Sequence, residues 1–188
     1  MATSRDKQVT LDQWAAFFPE YSVWKDKFLL RQASPLISGV CLDGMRDPST
    51  YRPTFFFHNL LVDWPTVTLG YAVGLRRRGV MKALKFGASV EDAPRQLREQ
   101  VESARSPTTF DGFVKHIEDA RKGAFGPLSV YLPHALRDIM SIGAFLGDAA
   151  FFRSTIEAAC ACIESAPNLN LQIIGSVEAW KDEIERLL

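Results

Sequence analysis

Three groups of side chains in this chain are of types that can do chemistry, and the spacing of each says what that chemistry would be. His134 follows Pro133 and precedes Asp138 by one helical turn, a spacing at which a carboxylate can orient an imidazole for general base work. The further member that such a base needs is not named by the chain, since Ser129 and Ser141 are near in sequence but neither stands in a nucleophile elbow. A structural His–Asp pair explains the spacing more simply. The second group is the basic run Arg76-Arg77-Arg78 with Lys82 and Lys85. On a continuous helix Arg78, Lys82 and Lys85 would form one stripe able to meet phosphates. Gly79 interrupts such a helix, and no aromatic residues alternate with the arginines as they do on a base-stacking platform. In the third group, Cys160 and Cys162 would stand about 200° apart on a helix and could not grip one ion together. With Ala158, Ala159 and Ala161 beside them they read as small core residues.

The remaining signatures are incomplete. His58, His116 and His134 do not fall in a zinc spacing, and the glycines at 70, 74, 79, 123 and 126 never precede the Lys-Ser or Lys-Thr pair of a phosphate loop. The expectation is therefore a protein that is not an enzyme and takes no metal or cofactor. Two sets of residues could instead serve a partner. Glu178, Asp182 and Glu185 share one face of the last helix, and Tyr51, Arg52 and Trp64 flank punctuated backbone and belong to the types that most often anchor protein interfaces.

Composition narrows the class further. The 188 residues carry 22 basic and 22 acidic side chains, for a formal net charge of zero, which argues against nucleic acid or an anionic membrane as the main partner. The neutrality is uneven: six basic side chains stand against Asp63 alone over residues 51–88, and eight acidic against four basic over 126–188. No apolar run approaches the ~20 residues that span a bilayer, and the first residues carry no apolar signal segment. Three cysteines do not form a disulfide framework, so the expected compartment is the cytoplasm.

The elements that must position these groups read as helices. Thr10 with Gln13 makes a capping-box start for a short first helix ending at Pro19, and Tyr21, Trp24 and Phe28 carry a second as far as Ser34-Pro35. Residues 36–53, punctuated by Gly39, Gly44, Asp47-Pro48 and Arg52-Pro53, read as a loop region. The apolar block 54–62 fits a helix or a strand. Residues 67–75 alternate with a period of two, yet Asp63-Trp64-Pro65 is a good helix start and Gly79 a good stop, so the reading is helix, with room for a short β-hairpin within 54–75. Leu97, Val101 and Ala104 mark the next helix, Phe110, Phe113, Val114 and Ile117 another, and Leu136, Ile139, Met140 and Leu146 a strongly apolar one. Phe152, Ile156, Ala159 and Ile163 follow after Gly147-Asp148, and Ile173, Val177, Trp180, Ile184 and Leu187 form the last. The sum is a mainly α chain, a single compact domain over 1–188 of about seven to nine antiparallel helices.

In overall character, and in the helix–Gly147-Asp148–helix pattern within residues 128–188, the chain resembles the small helical immunity proteins that bacteria make against their own secreted toxins. That resemblance implies stoichiometric binding of a toxin domain, and carries no site residue with it. The rival readings are a nucleic-acid binder using the basic cluster at 76–85 and a small helical enzyme using His134 and Asp138. The apolar block over 54–75 could also serve as a self-association face, making a homodimer.

Overall fold

A computed structural model describes residues 2–62, 67, 69–90, 92–121, 132–147, 155–156, 160–161, 164 and 175–186. It overturns the mainly α expectation. The described elements are α1 (Ser4–Phe17), β1 (Ser22–Trp24), β2 (Phe28–Ala33), β3 (Leu36–Gly44), β4 (Thr50–Asn59), β5 (Gly70–Gly74), β6 (Arg76–Arg77), β7 (Val80–Met81), β8 (Leu84–Lys85), α2 (Ala93–Gln100), α3 (Phe110–Arg121), α4 (Leu132–Phe145) and α5 (Val177–Glu185), with a 3-10 turn at Glu102–Ala104. The protein is thus mixed α/β: β1 to β5 lie side by side in order in an antiparallel sheet, β8 also pairs with β4, and β6 and β7 form a separate two-stranded ribbon. The chain divides into two compact units, Met1–His58 with Trp64–Leu128, and Asn59–Asp63 with Ser129–Leu188.

The errors in the helical reading have local causes. Trp24 and Phe28 stand four apart because they face each other across a hairpin, with Trp24 paired to Phe28 and ring centroids 5.3 Å apart. The turn between them spans residues 25–27 and begins at Lys25, whose φ of 56° lies in the left-handed region. A cross-strand pair closed by a short turn therefore imitates the i, i+4 spacing of a helix. The supposed loop at 36–53 contains β3 and the first part of β4. Gly39 is a strand glycine: a Cβ there would lie 2.7 Å from Cζ of Phe56 and 2.8 Å from the carbonyl oxygen of Leu29, so the residue is small because neighbours approach it, not because the chain turns. Residues 70–74 form a strand that pairs antiparallel with β4, Thr54 opposite Gly74 and Phe55 opposite Val73, and the helix expected over 64–79 is replaced by β5 and the ribbon.

In the first unit the core lies on both faces of the sheet. Phe56 packs with Phe28 and Cys41 on one face, while Phe55 and Phe57 meet His116 at centroid distances of 5.6 and 5.1 Å, and Phe57 meets Phe113 at 5.3 Å. A strand covered on both sides reads as an unbroken apolar run, which is why the block at 54–62 had no readable period. The first helix begins earlier than its expected start. Thr3 and Asp6 form the capping box, whereas Thr10, whose hydroxyl donates back to the Asp6 carbonyl at 2.8 Å, and Gln13 accept the backbone N–H groups of Gly87 (2.8 Å) and Val90 (3.2 Å). Trp14 donates its indole N–H to the hydroxyl of Tyr51 at 2.9 Å, fully buried on both sides.

In the second unit α4 stands where its spacing places it, and α5 covers Val177, Trp180 and Ile184 of the expected last helix, while Ile173 and Leu187 lie outside the described residues. Met140, Ile156, Trp180 and Ile184 form a buried cluster, and the Ser176 hydroxyl caps α5 by accepting the N–H of Ala179 at 3.0 Å. Among the described residues no helix is long and apolar enough to cross a membrane.

Candidate functional site

The chain leaves the main sheet at a buried corner, Leu75. Its N–H donates to the Pro53 carbonyl at 2.9 Å, and its own carbonyl accepts the N–H of Lys82 at 2.8 Å. The backbone groups on either side are taken by one side chain from the end of α2: Gln100 donates its amide to the Gly74 carbonyl (3.1 Å) and accepts the Arg76 N–H (2.9 Å). The polar backbone at the bend is therefore satisfied without water, and the ribbon that follows starts from a braced base.

From this corner β6 and β7 pair, Arg76 with Met81 and Arg77 with Val80. The two-residue turn between them is Arg78-Gly79, with φ values of 52° and 80°. Positive φ at both central positions is the mirror-image type I turn, whose twist matches that of a hairpin. The first position usually takes Asn, Asp or Gly, and placing an arginine there costs on the order of 1 kcal/mol of backbone strain. Arg76 braces the turn from within by donating from Nη1 to the Gly79 carbonyl at 3.0 Å.

The five consecutive residues Arg77, Arg78, Gly79, Val80 and Met81 are all exposed, Val80 to 71%. Cross-strand partners share a face: Arg77 and Val80 stand on the open side of the ribbon, while on the other side the Met81 thioether packs over Gly74, where an added Cβ would collide with it. An open groove of about 410 Å³ is lined by Arg77, Arg78, Val80, Met81 and Lys82. From residue 64 to residue 90 the chain has five basic side chains and no acidic one. The result is a preformed basic finger that turns at Arg78-Gly79 and carries Val80 beside Arg77 on its open side. Lys85, grouped with the arginines by sequence, lies instead on β8 opposite Thr50.

The other expected sites fare differently. Asp138 is buried in α4, and Asn59 donates its amide to the Asp138 carboxylate at 3.3 Å and to the Ser141 hydroxyl at 3.0 Å. Ser141 in turn donates to the backbone carbonyl of Asp138 at 3.1 Å, so that hydroxyl braces the helix and is not aimed at a substrate. Arg137 lies 3.7 Å from both Asp138 and Glu183. His134 is half-buried, and burial, followed by the nearby Arg137 charge, holds its pKa below the ordinary imidazole value. The region forms a polar support between Asn59 and α4. Asn59 was invisible to sequence reasoning because it lies 79 residues before Asp138.

Glu178, Asp182 and Glu185 are all exposed on α5, opposite buried Trp180 and Ile184. Tyr51 is a core residue on β4, fully buried between Trp14 and Phe86, and burial pushes its hydroxyl pKa up to about 12; it offers no surface to a partner. Arg52, beside it, is exposed. Trp64 lies outside the described residues, as does Cys162. Burial pushes the Cys41 thiol up to about 12 and raises that of Cys160, which keeps both protonated and poorly nucleophilic. Among the described residues no three His, Cys, Asp or Glu side chains are grouped to hold a metal ion.

The ribbon did carry a sequence signal. Gly79 after a stretch that alternates with period two suits the second position of a hairpin turn, but it suits a helix stop equally well, and the preceding arginine does not separate the two. Gln100 carried no signal, since it supports the ribbon from an element that follows by some twenty residues. No protein family, curated protein or solved structure matches the chain.

Proposed function

We propose that this protein acts without catalysis, by stoichiometric binding of a protein partner through the finger at Leu75–Lys82, in the manner of an inhibitor that neutralises a bacterial toxin. The observation that supports this reading is the finger itself: a ribbon braced by Gln100 and Arg76 that leaves Val80 and Met81 exposed among arginines. An element ordered before binding loses little conformational freedom when it binds, and an exposed apolar side chain beside arginines is a common composition for an interface anchor. The exposed acidic face of α5 is a second contact region under the same reading.

Nucleic-acid binding is the second reading, favoured by the absence of acidic residues from 64 to 90. Against it stand the zero net charge of the whole chain and a ladder of only two paired residues on each strand. The test is affinity capture of the tagged protein from its native host, with mass spectrometry of what survives a high-salt wash. The expected result is one stoichiometric protein that is lost from R77E/R78E. Recovery of nucleic acid favours the second reading, and recovery of nothing overturns both. Charge reversal at Glu178, Asp182 and Glu185 in the same assay tests the acidic face.

A further inference from the structure

We infer that β7 takes an extended acidic segment of the partner as a third strand, with an acidic side chain beside Lys82 and an apolar one beside Val80. This rests on the protein-binding reading and names the element by which the partner is held. The hydrogen bonds of the ribbon fix which of its edges is open. Lys82 donates its N–H to the Leu75 carbonyl, so Leu75–Lys82 and Arg77–Val80 are the bonded pairs of the ladder, and Arg76–Met81 is the pair between them whose backbone groups point outwards. On the β6 side the outward N–H of Arg76 is taken by Gln100, as is the Gly74 carbonyl, which closes that edge. On the β7 side the outward N–H and C=O of Met81 have no hydrogen-bond partner among the described residues, and Val80, Met81 and Lys82 line the open groove. An edge left open in this way is a template for another strand. An antiparallel partner residue opposite Met81 exchanges both backbone bonds with it, and its two neighbours then stand opposite Val80 and Lys82, on the side that also carries Arg77. With five basic and no acidic residues from 64 to 90, the charge that complements this side is negative. Val80, 71% exposed, calls for an apolar side chain across from it. Nucleic acid has no peptide N–H and C=O to pair with such an edge.

The test uses the unaltered protein and a short peptide, Thr-Glu-Thr-Val-Thr-Glu-Thr, whose glutamates and valine fall on one side of a strand. Paired antiparallel with β7, it places a threonine opposite Met81, so the threonine N–H groups face the ribbon and those of the glutamates and valine face solvent. Two further versions carry backbone N-methyl groups, one on the inner threonines and the other on the valine and the glutamate after it. Their charge is the same, and only the first has lost its donors to the ribbon. The expected result of an NMR titration at low salt is that the unmodified peptide shifts the Met81 amide and slows its hydrogen exchange. Methylation of the threonines should weaken binding by at least about tenfold, while methylation of the valine and glutamate leaves it close to that of the unmodified peptide. K82E should weaken the unmodified peptide, with circular dichroism confirming that the variant is folded. Equal loss from the two methylated versions, no change at the Met81 amide, indifference to K82E, or no binding at about millimolar peptide each overturns the inference. The two levels fail separately: a peptide that binds through its charge whichever positions are methylated overturns strand addition and leaves protein binding standing, whereas capture of no protein from the host overturns the reading beneath it.

Discussion

His116 shows how little a residue's type says about its work. As a histidine in an amphipathic helix it could be a ligand, a base or a solvated side chain. In the folded chain it is buried against Phe55 and Phe57, with Nε2 2.9 Å from the Tyr71 carbonyl. Burial lowers its pKa from 6.5, with the Tyr71 contact acting in the other direction. The unfolded chain therefore takes up a proton at higher pH than the folded one, so the contribution is complete above pH 6.5 and is lost as the pH falls from there towards the lower folded value. His134, also lowered by burial, acts with the same sign. The expected outcome is a urea midpoint that is level between about pH 8 and 7 and drops below about 6.5, with a shallower drop in H116F. Asn59 makes the second residue-scale prediction. Replacing it by leucine leaves the buried Asp138 carboxylate and Ser141 hydroxyl short of a donor, an expected loss of about 1–3 kcal/mol in chemical denaturation, with S141A largely rescuing the hydroxyl's share.

The elements were legible where one face of a helix is buried and illegible where tertiary contacts replace local pattern. α3 and α5 each bury one apolar stripe and leave the rest of the helix more exposed, so their spacing is visible in the chain. β3 carries a glycine because Phe56 and the Leu29 carbonyl crowd it, and no sequence rule separates that glycine from one in a loop. The two kinds can be told apart by experiment. G39A should destabilise strongly, because the added Cβ meets backbone as well as side chains. G79A has open space around it and a φ of 80°, so it should cost only on the order of 1 kcal/mol, from backbone strain alone; thermal melts of the two variants check the contrast. For the finger, Q100A removes the acceptor of the Arg76 N–H and the donor to the Gly74 carbonyl. Amide exchange at Arg76 and Lys82 should quicken while exchange in β2 and β3 stays unchanged, which hydrogen-exchange NMR reads residue by residue.

At the scale of the molecule, a net charge of zero describes no part of the surface. At pH 7 the protein should be retained on a cation exchanger through the finger despite its neutrality, elute at low salt because only a few charges engage, and pass through unretained as R77E/R78E. The sequence by itself determined the composition of that surface, the basic stretch from 64 to 90 and the acidic face at Glu178, Asp182 and Glu185, and the helical runs through Phe110–Ile117 and Val177–Ile184. Those follow from residue type and from periodicity along one element. The tertiary structure decided the rest: that Trp24 and Phe28 are a cross-strand pair, that Tyr51 is core, that Asn59 meets Asp138, and that three arginines thought to end a helix form a finger held by Gln100. In each case the deciding partner lies on another strand or helix, and a pattern read along the chain carries no information about distance across it.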